Sequence, residues 1–95
     1  MNNSKYKEYY RLVANVVNLA DPIGLIVGGA PEDEYSSEIN KILAAIRNEN
    51  DKKIISQKIY KIFCDSFDEK IAGKMSTYED IAVKIIELKL SGKLH

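Results

Sequence analysis

Five carboxylates, Asp21, Glu32, Asp33, Glu34 and Glu38, fall within eighteen residues, and no Lys or Arg lies between Leu12 and Asn40. Such side chains can move protons, hold a hard cation or attract a basic partner. Proton or group transfer needs a nucleophile, a base or a metal in defined geometry. The chain offers one histidine, His95, at the end of the sequence, where a base is poorly fixed, and one cysteine. Catalysis is therefore not expected. Zinc takes clustered Cys and His, and a calcium loop alternates oxygen ligands around a glycine. Neither pattern is present, so no metal and no cofactor is expected.

Two other groups of residues could do chemistry. Gly28-Gly29 suggests a phosphate-binding loop, but the lysine and hydroxyl of that motif are missing and the acids that follow would repel phosphate. Lys52, Lys53, Lys58 and Lys61 could release counterions from nucleic-acid phosphates. No arginine or stacking aromatic is interleaved as a nucleic-acid groove would want, so the lysines read as a solvated face and direct nucleic-acid binding is not expected. Cys64 cannot close an internal disulfide, and within a helical apolar pattern it reads as a small hydrophobe.

The elements that must position the acids are helices. In 95 residues, 45% hydrophobic and 29% charged, one core is expected, and residues 1–95 read as a single helical domain. Tyr6, Tyr9, Val13, Val16 and Val17 follow helical spacing up to about Leu19, where Pro22 forces a stop. Tyr35, Ile39, Ile42, Leu43 and Ile46 form the stripe of a second helix. Pro31 suits its first position, which would put Glu32, Asp33 and Glu34 in the first turn, at the positive end of the helix dipole. Asp51 can cap a third helix with Ile55, Ile59, Ile62, Phe63 and Phe67 inward. Gly73 breaks it. Ser76-Thr77-Tyr78-Glu79 fits a capping box before a fourth helix carrying Tyr78, Ile81, Ala82, Ile85 and Leu88, which Gly92 would end. The expected fold is all-α: a compact four-helix bundle with an ordered Gly/Pro loop, including one helical turn at most, between the first two helices.

Net charge is zero, yet all 14 Lys and Arg lie outside the acidic stretch, against nine of the 14 acids. Such polarity steers a molecule toward a basic partner. The longest apolar run, Ile23 to Val27, is too short for a bilayer, and Met-Asn-Asn-Ser-Lys-Tyr lacks a signal-peptide core. No membrane association is expected, and the expected location is cytoplasmic.

Asp-Pro-Ile-Gly-Leu at 21–25, Gly-Ala-Pro-Glu-Asp-Glu-Tyr at 29–35 and Glu38-Ile39 resemble the signature of the YugE-like family of small helical bacterial proteins. Family members often carry an aromatic residue before the Asp-Pro pair, where this chain has Ala20. The resemblance implies a compact helical bundle with no catalytic residues. It further implies kinship with immunity proteins encoded beside polymorphic or contact-dependent growth-inhibition toxins. The function so implied is to bind and sterically neutralise a cognate toxin with a basic surface, such as a nuclease. Asp21, Glu32, Asp33, Glu34 and Glu38 would form the acidic loop-helix surface, with Tyr35 at its edge. A non-enzymatic interaction or regulatory module with another partner is the alternative, and the outer faces of the third or fourth helix are the alternative surface.

Overall fold

The computed structural model describes residues 3–31 and 33–94. Glu32 and His95, both named above, lie outside the described residues. Among the described residues five helices follow one another: α1 (Asn3–Ala20), α2 (Ser36–Ile46), α3 (Lys52–Phe67), α4 (Glu69–Ala72) and α5 (Met75–Leu90). Among the described residues there is no strand. The all-α expectation holds. The four-helix count does not, because the single-turn α4 stands between the third and last long helices. Asp68, at φ 85°, stops α3, and Gly73, at φ 83°, stops α4. Positive φ at both positions turns the chain out of the right-handed helix.

The four longer helices touch in a ring, α1 on α2, α2 on α3, α3 on α5 and α5 on α1, and α4 packs on α3. The stripes read from spacing meet at the centre. Val13, Val17, Ile39, Ile42, Ile55, Ile59, Ile81 and Ile85 are buried, while Leu43, Ile62, Phe67 and Leu88 pack around them partly covered. Phe63 is the hub of the rings, with centroids 5.8 Å from Tyr35, 5.9 Å from Phe67 and 5.3 Å from Tyr78. Truncating such a ring to alanine costs about 3–5 kcal/mol. Cys64 is half-buried and free.

The helix ends decide the geometry of what lies between. Asp51 caps α3 as expected, its carboxylate accepting from the N–H of Lys53 at 2.9 Å and of Ile54 at 3.2 Å. At the end of α5, the Gly92 N–H donates to Lys89 O and the Lys93 N–H to Leu88 O, with Gly92 at φ 80°. This paired closure satisfies carbonyls that the last turn would otherwise leave bare. The capping box at Ser76 does not form. Gly73 and the extended Lys74 start α5 at Met75, so Ser76 already lies inside the first turn, and no side chain caps that end.

α2 is also corrected, since it begins at Ser36 and not at Pro31. Two tight turns occupy the intervening residues, with Glu34 N–H donating to Pro31 O and Ser36 N–H to Asp33 O, each at 3.0 Å. Asp33 and Glu34 therefore sit in turns ahead of the helix, and Glu38 is the acid in its first turn. At the other end, Lys89 reaches over from α5, its ammonium donating to Ile46 O and Glu49 O at 2.6 Å each. A cation there meets the negative end of the α2 dipole.

Candidate interaction surface

The loop between α1 and α2 is built on Asp21. Its N–H still donates to Val17 O at 2.7 Å, but its φ is 47°, in the left-handed region. Asp tolerates that region better than most side chains, and Pro22 could not extend the helix. Asp21-Pro22-Ile23-Gly24 then closes as a turn, with Gly24 N–H donating to Asp21 O at 3.0 Å. One helical turn follows. It is closed by Gly28 N–H to Gly24 O, Gly29 N–H to Ile26 O and Ala30 N–H to Leu25 O, at 2.9 to 3.0 Å. Gly29 accepts the positive φ, 98°, that this closure requires.

The loop is half-covered, and its inner backbone donors must find partners. Here four of them converge on two side chains. The Asp21 carboxylate accepts from Ile26 N–H at 3.0 Å and Val27 N–H at 2.9 Å. The Tyr35 hydroxyl accepts from Ile23 N–H at 3.2 Å and Leu25 N–H at 3.3 Å, and donates to Asp21 at 2.7 Å. Asp21 thus carries its negative charge into the positive end of a helical turn. Burial pushes its carboxyl upward, but the bonds from Tyr35 and from the amides of Val27, Ile26 and Leu25 outweigh that and hold it below the ordinary value. Burial first, and the bond to Asp21 second, push the Tyr35 hydroxyl up to about 12.

Of the six residues assigned from sequence to the acidic surface, the five that are described part company. Tyr35 is fully buried under the loop with its ring tilted against Phe63, so it is not at the edge of a surface. Asp21 is half-buried and committed to the loop's own donors. Glu38 is buried on α2, 6% exposed. Asp33 and Glu34 are exposed. Beside them, burial and then the charge of Asp33 raise the Tyr10 hydroxyl above its usual value, while a bond with Ser36 pulls the other way. Tyr6, half exposed on the same side of α1, donates to the Asn40 side chain. The reachable acidic face is thus the pair of turns at 33–34, framed by the start of α2 and tyrosines of α1. Sequence reading missed the role of Tyr35 because a helix stripe and a loop anchor ask for the same residue at that position.

The remaining sequence-level candidates are now placed. Lys52, Lys53, Lys58 and Lys61 are exposed on α3, with Lys58 3.7 Å from Glu49 and Lys61 3.1 Å from Asp65. Among the described residues no three His, Cys, Asp or Glu side chains are grouped to hold a metal ion. No described helix is long and apolar enough to cross a membrane.

Fold and site together define a small all-helical protein whose interhelical loop is pinned from below by a buried tyrosine and a left-handed aspartate. The chain belongs to the family described as Domain of unknown function (DUF1871), whose model matches residues 12–95 and so takes in the loop and all of α2 to α5. No curated protein and no solved structure matches the chain.

Proposed function

We propose that this protein is a cytoplasmic, non-enzymatic immunity protein that captures a basic bacterial toxin and sterically blocks its substrate cleft. Asp33 and Glu34, with Glu32 between Pro31 and Asp33 in the chain, supply the charge; Asp21 and Tyr35 hold the preceding loop in shape from beneath. The observation that carries the reading is the exposure of Asp33 and Glu34 within a stretch, Leu12 to Asn40, that has no Lys or Arg to compensate them. A loop already ordered by its own hydrogen bonds loses little further freedom on binding, which favours capture. The resemblance of the 21–39 segment to the YugE-like family and its immunity relatives supports a toxin as the partner.

The test is a pull-down with the full chain as bait, followed by affinity measurement for the retained protein. The double change Asp33→Lys/Glu34→Lys leaves the fold intact, both residues being exposed, and weakens capture by at least about tenfold, mostly through slower and more salt-sensitive association. Unchanged affinity rejects this surface. Failure of co-expression to protect cells from the captured protein rejects the toxin and leaves a regulatory interaction module.

A further inference from the structure

We propose that the seam between α1 and α5 is a self-complementary surface through which two copies of this chain associate. Two adjoining hollows of about 450 and 330 Å³ run along it and share Val16 and Lys84 as lining. On the α1 side, Leu12, Val16 and Leu19 repeat at helical spacing, Leu12 and Val16 packing onto the core. Val16 is covered, but Leu19 stands 85% exposed at the rim of the smaller hollow. No residue from Leu12 to Ala20 is charged, and on that wall Asn15, exposed and lining the larger hollow, is the polar side chain that a contact must satisfy.

The α5 wall supplies the charge, in a pattern that fits a copy of itself. Asp80 and Lys84 stand one helical turn apart, both exposed, and neither is in an ion pair with another described residue. A two-fold axis makes residue i meet j while j meets i. Two α5 helices approaching antiparallel across that axis set Asp80 of each copy against Lys84 of the other, forming two ion pairs from one patch. Leu19 is level with Thr77 and Asp80 on its own α5, so the same operation carries it toward the other copy's larger hollow beside Lys84 and Leu88. Knob and hollow, acid and base thus all lie in a single patch, as an isologous contact demands. The seam lies on a different pair of helices from the turns at 33–34, and the association stands apart from toxin capture.

Sedimentation equilibrium of the full chain over a concentration series tests this. The mass is expected to climb from 10.7 kDa toward twice that value. Leu19→Lys and Lys84→Asp each weaken association by about tenfold or more, and the charge exchange Asp80→Lys/Lys84→Asp recovers most of it, because the exchanged pair is again self-complementary. Circular dichroism melts confirm that each variant is folded; the altered positions are exposed, and a lysine at Leu19 suits a helix C-terminus. A mass that stays at 10.7 kDa throughout, association indifferent to both single changes, or an exchange that restores nothing overturns the proposal.

Discussion

The Tyr35 hydroxyl donates to the Asp21 carboxylate at 2.7 Å across fourteen positions of the chain. Tyr35 accepts two amides of the loop and Asp21 accepts two more, so this one contact joins the donors of both halves of the loop into a single network. Its aromatic ring carries the network down to Phe63 in the core. The loop is therefore tied to the hydrophobic interior through Tyr35.

Removing the hydroxyl alone measures this coupling. Tyr35→Phe keeps the ring packing but leaves Asp21 short of one donor and the amides of Ile23 and Leu25 without an acceptor. Stability to denaturant is expected to fall by about 1–3 kcal/mol. Hydrogen exchange at Ile23, Leu25, Ile26 and Val27 is expected to speed up well before that of the α3 core. Unchanged protection at these four amides would show that the network does not hold the loop.

The two residues also predict how stability changes with pH. Asp21 has a native value below its unfolded 3.8, so its contribution is fully present above 3.8 and drains away as pH falls through the lower native value. Tyr35 behaves oppositely: its contribution is fully present below 10.0 and is lost as pH rises toward about 12. Burial raises Tyr78 to about 12 as well, and its hydroxyl donates to Ala72 O at 2.6 Å. Denaturant midpoints recorded against pH should therefore slope downward on the alkaline side. Tyr35→Phe should flatten part of that slope and leave the share due to Tyr78. An identical alkaline slope in the variant would contradict the assignment.

The helix caps offer a paired comparison in one protein. Asp51→Ala removes an acceptor used by two amides and is expected to cost about 0.5–2 kcal/mol. Ser76→Ala, at the position where a capping box is readable but unformed, is expected to stay within about 0.5 kcal/mol of the parent. Thermal melts of the two variants side by side check this; equal losses would mean that the Ser76 hydroxyl does cap α5.

Local patterns in the chain were enough to reveal the helical class, the inward stripes of Ile39–Ile42–Ile46, Ile55–Ile59–Phe63 and Ile81–Ile85, the stop before Pro22, and the Asp51 and Gly92 ends. All of these depend on neighbours within about four residues, the range over which helical periodicity and capping act. The start of α2 and the order of Gly73 and Ser76 at the entry to α5 were misread for a related reason: two local signals competed, and the turn won over the helix-start motif.

What spacing could not disclose was who meets whom across the fold. Tyr35 under the loop, Lys89 on the end of α2 and the open seam beside Leu19 join residues far apart in the chain, and such pairings carry no local signature. They arise when packing brings a buried donor or carbonyl within reach of the one side chain long enough to satisfy it. The acids followed the same logic: all five looked alike as letters, and burial took Asp21 and Glu38 inward while leaving Asp33 and Glu34 facing solvent.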